Sequence, residues 1–213
     1  MSRPRARRRA AQAGFTFVEL IMGIVLAAIF AAALYGFFFA GLDAARSHES
    51  QARAQAAART ALERFSRDVR QAISPDDGLT PPVASVAPSA VEVYVDGRRD
   101  LGSTSPRPQR VRYALAGAQL IRERSLPAGA APPFTYGPYG AREVLVDGVT
   151  NGAVPVFRAT TREGVTLPAS VSGPQARDVA SVSIRLRVAQ KTGVARTTLE
   201  LATDVALRNA IRL

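Results

Sequence analysis

The alternation of apolar and polar positions divides the chain into three parts. From Leu20 to Leu42 no charged residue occurs over 23 positions, which is long enough for a helix to cross a lipid bilayer. From Asp43 to Ile73 apolar residues recur at spacings of three and four, as on one face of an amphipathic helix. Beyond residue 74 the apolar period changes to two, which indicates strands. The pattern therefore predicts a long N-terminal helix followed by a β-rich domain.

The apolar run follows a short basic leader, residues 1–14, which contains five arginines and no acidic residue. A secretory signal is cut at a small-residue site after its apolar region, and no such site follows Leu42. The run is therefore expected to remain as a membrane anchor. The positive-inside rule places the leader in the cytoplasm and the rest of the chain outside.

The second part of the helix carries one apolar stripe, expected to pack against the domain that follows. Its largest members are Leu62, Phe65, Val69 and Ile73, with Ala58 and Ala72 in the same pattern. Charged residues, among them Arg67, Asp68 and Arg70, lie around the stripe and are predicted to form its polar flank. Ser74-Pro75 is predicted to end the helix after Ile73.

The third part alternates in a way that is typical of an antiparallel sheet with one covered face. Predicted strands are 91–95, 111–115, 119–124, 143–146, 154–159, 179–189 and 196–205. Residues 79–90 and 126–140 are rich in proline and are predicted to be loops. Since the stripe of the helix is otherwise unburied, it is the natural cover for this sheet. The fold class is therefore α+β.

Glu19 is the one charge in the segment that begins at Phe15. A carboxylate inside an apolar span costs about 2.5–3.5 kcal/mol and usually has a partner. If the chain is cut after Gly14, the new α-ammonium of Phe15 lies four residues from Glu19 and can pair with it, in the same chain or in a neighbour. The other interpretation is an interfacial acid at the edge of an ordinary signal anchor.

Composition removes several kinds of function from consideration. The net charge is +11, but without the five leader arginines 28 − 5 = 23 basic residues face 17 acidic ones, a thinly spread excess of +6. That distribution does not indicate a nucleic-acid surface. Cysteine is absent, and His48 is the single histidine. The sequence therefore predicts no catalytic residue, no metal site, no cofactor and no enzymatic activity.

Two short patterns admit a binding interpretation as well as a structural one. Asp76-Asp77-Gly78 and Asp96-Gly97 contain acidic residues, but neither has the spaced ligand series of a calcium loop, and turn chemistry explains both. The aromatic segment 136–140 suits either a binding loop or a plain proline-rich loop.

The order of a basic leader, Gly14, Phe15 and Glu19 resembles the class III signal of type IV prepilins and type II secretion pseudopilins. The resemblance extends beyond the signal to minor pseudopilins of the J class and PilW-type minor pilins. It is carried by residues 60–72, 113–124, 147–149 and 203–209. The chain departs from many major pilins in lacking a C-terminal disulfide, and Ala11-Gln12-Ala13 stands where basic residues are common.

The resemblance implies a type IV pilin-like fold and a structural role as a minor pilin or pseudopilin, at or near the tip of a filament. Prepilin peptidase would cut after Gly14 and methylate the Phe15 amine, and Glu19 would guide assembly with other pilins. The implied divisions are a leader (1–14), a transmembrane half-helix (15–42), an amphipathic half-helix (43–73) and an extracytoplasmic head (74–213). The anchor would lie in the inner membrane, crossing it once, before extraction into the filament.

Two other functions fit the same sequence. The first is a signal-anchored envelope protein whose outer domain binds a ligand, with a fortuitous prepilin-like start. The second is a DNA-uptake (competence) pseudopilin, which shares the scaffold and differs in its cargo.

Overall fold

The computed structural model describes residues 16–76, 78–97, 107–129, 131–192 and 195–208. The chain forms two compact units, Met1–Arg46 and Ser47–Leu213. The first unit contains the beginning of helix α1, which runs from Phe17 to Arg70. The second contains the end of α1 and, among the described residues, all of the β-structure.

Helix α1 ends three residues before the predicted end at Ile73. The reason is that the next residues join a strand. Ala72 forms an antiparallel bridge with Val95, and the Ile73 N–H donates a hydrogen bond of 2.8 Å to the Tyr94 carbonyl. Helix and sheet are thus connected through the backbone at this point.

Six strands form the larger sheet, in the order β7-β4-β3-β2-β1-β9, and each neighbouring pair is antiparallel. Their bounds are β1 Val83–Ala87, β2 Ala90–Asp96, β3 Pro108–Ala116, β4 Gln119–Ser125, β7 Glu143–Val146 and β9 Val171–Ser172. The β3–β4 hairpin turns at Gly117, whose φ of +62° lies in the left-handed region that glycine adopts readily.

Three strands form the second sheet, in the order β11-β10-β8: β8 Phe157–Thr160, β10 Ser181–Thr192 and β11 Ala195–Ala206. A 3₁₀ helix, Gly173–Asp178, precedes β10. Two two-residue strands, β5 Pro127–Ala128 and β6 Thr135–Tyr136, pair with each other within the predicted loop 126–140.

The core of the second unit lies between the end of α1 and both sheets. Phe65 contributes most from the helix, with its ring centroid 5.3 Å from that of Tyr113 on β3 and 5.8 Å from that of Phe157 on β8. All three side chains are fully buried. The predicted α+β architecture, a long N-terminal helix with an antiparallel β-sheet domain, is confirmed.

Two strand predictions need correction. Residues 79–90, predicted to be a loop, contain β1, which pairs with β2 across the short link Pro88-Ser89. Proline at both ends of this five-residue strand concealed its alternation. The strand predicted at 154–159 begins at Phe157, because the Val154 N–H instead bonds the Asn151 carbonyl in a turn.

Candidate functional site

The first turn of α1 is closed by Thr16. Its hydroxyl oxygen accepts a hydrogen bond of 3.3 Å from the Glu19 N–H, and its carbonyl accepts one of 3.1 Å from the Leu20 N–H. This is the geometry of a helix N-cap, and the pattern Thr16-Phe17-Val18-Glu19 has the spacing of a capping box. Sequence reasoning concentrated on the charge of Glu19 and missed the Thr-x-x-Glu spacing that could have identified this cap.

Glu19 lies in the first helical turn, where the positive end of the helix dipole favours a carboxylate. Its side chain is exposed, and within the described residues, which begin at Thr16, it takes part in no ion pair. Gly14 and Phe15, the predicted cleavage and methylation residues, lie outside the described residues. The structure therefore shows Glu19 exposed on the first turn of α1.

The helix that follows Glu19 presents an apolar surface that none of the described residues covers. Its most apolar window of 18 residues has a mean hydropathy of 2.5, and none of that window is buried. Phe37 is 82% exposed and Phe17 is 77% exposed. In length and composition this helix can cross a membrane.

The predicted stripe on the second part of α1 divides into buried and partly exposed members. Phe65 and Val69 have no exposed surface, whereas Leu62 and Ile73 are only partly buried. Ala58 and Ala61 on the helix are also buried, as is Ala72 just after it. The two helix alanines are small enough to bring the helix backbone close to the sheets.

Asp68, expected on the polar flank, is the main correction to the stripe. It is only 7% exposed and points into the interface with the larger sheet. The Tyr113 hydroxyl donates a hydrogen bond of 2.7 Å to its Oδ2 atom, and Arg122 donates to the same oxygen from Nε (3.0 Å) and Nη2 (2.9 Å). The apolar spacing of three and four could not predict that Asp68 is buried, because its partners are 45 and 54 residues away in the sequence.

The electrostatics of this contact keep the Tyr113 phenol neutral and the Arg122 guanidinium charged. Burial raises the pKa of the Tyr113 phenol, and the Asp68 carboxylate raises it further, so the phenol stays protonated and acts as a donor. Burial lowers the pKa of Arg122, but Asp68 and Tyr113 outweigh it, and the net shift is upward. A neutral phenol and a fixed guanidinium suit a structural contact, since neither can exchange a proton near neutral pH.

A second ion pair extends the same contact to the edge of the sheet. Arg64, one turn before Asp68, pairs with Glu143 on β7, and Arg122 lies 3.9 Å from the other oxygen of Glu143. The two helix residues thus bind strands β3, β4 and β7. Asp68, Tyr113, Arg122, Arg64 and Glu143 are hereafter called the helix–sheet cluster.

The aromatic segment of loop 126–140 packs on the larger sheet. The guanidinium of Arg110 lies 4.9 Å from the ring centroid of Tyr139 and 5.5 Å from that of Tyr136, distances at which cation–π attraction is effective. The Ser125 hydroxyl donates a hydrogen bond of 2.8 Å to the Gly137 carbonyl, and the Tyr136 hydroxyl donates one of 3.0 Å to the Pro108 carbonyl. These tyrosines therefore hold the loop in place.

Within the described ranges, no group of three histidine, aspartate or glutamate side chains is arranged to hold a metal ion. Asp76 instead accepts hydrogen bonds from the N–H and the hydroxyl of Thr80, at 2.5 and 2.6 Å. In that arrangement the Asp76 side chain holds the turn through hydrogen bonds.

A sequence model of the prokaryotic N-terminal methylation motif matches residues 9–35. The match covers Gly14, Phe15, Glu19 and most of the apolar run. No curated protein matches the chain. The motif, together with the long N-terminal helix and the antiparallel sheet domain, is consistent with a type IV pilin-like protein.

For a type IV pilin-like chain, the motif indicates processing by prepilin peptidase and assembly with other pilins. The exposed apolar helix fits a membrane-anchored subunit. Proteins of this kind are structural, and generally not enzymes. Their function depends on the surfaces of the helix and the head.

Proposed function

We propose that this protein is a minor pilin or pseudopilin, a structural subunit at or near the tip of a type IV pilus or a type II secretion pseudopilus. The observation that carries the proposal is the methylation motif over residues 9–35, on a chain whose capped helix leaves its large apolar side chains uncovered. The resemblance of residues 60–72 to J-class and PilW-type proteins supports the minor-subunit assignment.

Processing would convert the inserted precursor into a subunit that can assemble. Hydrolysis of the bond after Gly14 removes the basic leader and makes Phe15 the N-terminus, two residues before α1 begins at Phe17. The same peptidase would then methylate the new α-amino group of Phe15. Before processing, the helix would anchor the protein in the inner membrane with the head outside.

Glu19 would select the register of assembly. Its carboxylate is exposed on the first turn, with no ion pair in the part of the chain that the structure describes, so it is available to the α-ammonium of a neighbouring subunit. In a layer of packed apolar helices the effective dielectric constant is low, so an unpaired carboxylate is costly and its pairing is strongly favoured. Lateral packing of the uncovered side chains would supply the remaining attraction.

The test is the N-terminus of the protein purified from its native host. Intact-mass and N-terminal analysis should find a chain that begins with N-methylated Phe15, recovered in a sheared filament fraction. Gly14→Val should keep the leader and be absent from that fraction. Gly137→Val is the matched control, since Gly137 lies outside the apolar helix and a Cβ there meets open space; it should be cleaved and incorporated as the wild type is. A wild-type protein that retains Met1 and its arginines would overturn the proposal in favour of a signal-anchored envelope protein.

A further inference from the structure

Strand β11 is an open edge. It pairs with β10 through twelve consecutive residue pairs without a bulge, and in the described chain no strand lies on its other side. At alternate positions an edge strand directs backbone N–H and C=O groups away from its neighbour. Proteins usually protect such edges with proline, lysine, a bulge or short length. β11 is twelve residues long and contains neither proline nor lysine.

A groove of about 1160 Å³ separates the C-terminal half of β11 from the exposed face of α1. The helix contributes residues from Arg59 to Gln71, and the strand side contributes residues from Ala202 to Arg208. Small-molecule pockets are usually about 300–1,000 Å³ and mostly apolar. This groove is larger, and charged residues line both of its sides, so its dimensions suit an extended peptide better than a small ligand.

The charges that line the groove favour an anionic occupant. Four guanidinium groups (Arg59, Arg67, Arg70 and Arg208) face two carboxylates (Glu63 and Asp204). All six side chains are exposed. Across the described ranges none of the four arginines forms an ion pair or side-chain hydrogen bond. An edge of free backbone groups beside unpaired cations is what an acidic strand would complement.

We propose that this groove binds an extended acidic segment of a different pilin-like subunit, which adds to β11 as a further strand. The inference rests on the proposed function. It adds an assembly contact in the β-rich part of the chain to the proposed packing of the apolar helix. Backbone hydrogen bonds to β11 would supply affinity, and the arginines would select acidic side chains. A second copy of this chain suits the groove less well, because it carries the same excess of +6 after residue 14. Nucleic acid supplies anions but no strand of alternating N–H and C=O groups.

The decisive probe is a fluorescent ten-residue peptide of alternating valine and glutamate, mixed with the full processed chain in non-ionic detergent micelles. Anisotropy should show saturable binding. Methylation of the peptide nitrogens along one edge removes its donors and should abolish binding without changing its charge. Undiminished binding of the methylated peptide, or no binding of the unmodified one up to millimolar concentration, would overturn the proposal. Tighter binding of a single-stranded DNA of equal charge, lost in the arginine variant described next, would assign the groove to nucleic acid instead.

A matched pair of variants tests the role of the arginines. Arg59→Gln/Arg67→Gln should weaken peptide binding about tenfold, the effect of losing two exposed charge contacts. Arg142→Gln/Arg177→Gln removes the same charge from exposed residues outside the groove and should bind as the wild type does. Equal weakening in both would show non-specific attraction to a basic protein and contradict the proposal.

The cell-based readout separates this inference from the proposed function. In the native host, Arg59→Gln/Arg67→Gln should be cleaved normally and accumulate normally, yet reach filaments about tenfold less than the control pair. Normal incorporation would refute the groove contact and leave the pilin function standing. A wild-type chain that keeps its leader would refute the proposed pilin function, regardless of the result of the peptide-binding measurement.

Discussion

The two parts of helix α1 have opposite surfaces. Before Ser47, most of the large apolar side chains are exposed, Phe30 and Phe37 by more than 70%. After Ser47, the helix buries Phe65 and Val69 together with two alanines and Asp68. The backbone is the same continuous helix in both parts. The two parts differ in which groups cover their apolar side chains.

The difference shows which contacts belong to the monomer and which require surroundings. The second part is covered by the chain's own sheets, and its position is fixed by the helix–sheet cluster. No described residue covers the first part, and lipid or other helices would remove its apolar area from water. Substitutions in the first part should therefore alter assembly, and substitutions in the second should alter the stability of the head.

The largest effect is expected for Glu19→Ala. Loss of the carboxylate would leave the α-ammonium of a neighbouring subunit without its partner in an apolar layer, a penalty of about 2.5–3.5 kcal/mol. We expect filament incorporation to fall by about a hundredfold, as measured by immunoblotting of sheared filaments.

The head should be unaffected, because Glu19 belongs to the first unit. Urea unfolding of the head, followed by near-ultraviolet circular dichroism, should match the wild type. Glu49→Ala is the control, since Glu49 is an exposed acid on the same helix, paired with Arg53. If Glu19→Ala filaments form at normal levels, the register role of the carboxylate is excluded.

Asp68→Ala should give the largest loss of head stability. The side chains of Asp68 and Arg122 are only 10% and 11% exposed, and removing the acid leaves a buried guanidinium with only the more distant Glu143 carboxylate, 3.9 Å away, as its charged partner. Breaking a buried pair in this way typically costs about 3–5 kcal/mol. The measurement is the free energy of urea unfolding of the full chain in detergent micelles.

Two further variants separate burial from simple loss of charge. Asp43→Ala removes an acid whose pair with Arg46 is fully at the surface, and it should cost less than about 1 kcal/mol. Asp68→Leu combined with Arg122→Met replaces both buried charges by apolar groups and should recover much of the loss. A small effect of Asp68→Ala alone would mean that water reaches the cluster.

The sequence predicted the regular parts of this fold well because their period is local. The hairpins β3–β4 and β10–β11 follow from alternation and a turn residue, and the long helix follows from its apolar run. Strand β1 was missed because its five residues lie between prolines, and its existence depends on pairing with β2 and β9 on either side. Local propensity cannot supply that kind of information.

The candidate site shows the same division. Glu19 stands out in the sequence because a charge within an apolar run is conspicuous without any tertiary contact. Asp68 does not, because its neighbours Arg67 and Arg70 are exposed charges and only the position of Arg122 on β4 marks it as buried. The open edge of β11 is likewise a property of sheet order, which no single segment encodes.

At alkaline pH the free energy of unfolding should change by a smaller amount, because of one buried and two partly buried tyrosines. Burial raises the pKa values of Tyr113, Tyr136 and Tyr139, whereas in the unfolded chain these phenols ionise near pH 10. Above pH 10 the unfolded chain therefore binds fewer protons than the folded one, and the free energy of unfolding falls as pH rises. Each tyrosine contributes at most about 1.4 kcal/mol per pH unit.

Tyr139→Phe isolates one of these contributions. Its phenol is partly buried near the Glu92 carboxylate, so stability at pH 7 should change by no more than about 1 kcal/mol. Between pH 10 and 11 the loss of stability should be shallower than in the wild type. Tyr113→Phe should instead lower stability at pH 7, because its hydroxyl bonds Asp68. An unchanged alkaline slope in Tyr139→Phe would show that the phenol ionises freely in the folded head.

A second pH-dependent effect, confined to acidic conditions, is expected at Asp76, where the chain turns after the helix. Burial raises the pKa of this carboxyl, but hydrogen bonds from the Thr80 hydroxyl and N–H and from the Ser74 hydroxyl outweigh it, and the net pKa is below the usual value. A lowered pKa stabilises the folded state above about pH 4, and that contribution disappears as the pH falls through the folded-state value. Asp76→Ala should therefore cost about 1 kcal/mol at pH 7 and less at pH 2, where more of the carboxyl is protonated. Urea titrations at both pH values measure this difference, and an equal loss at both would show that the turn depends on the shape of the side chain and not on its charge.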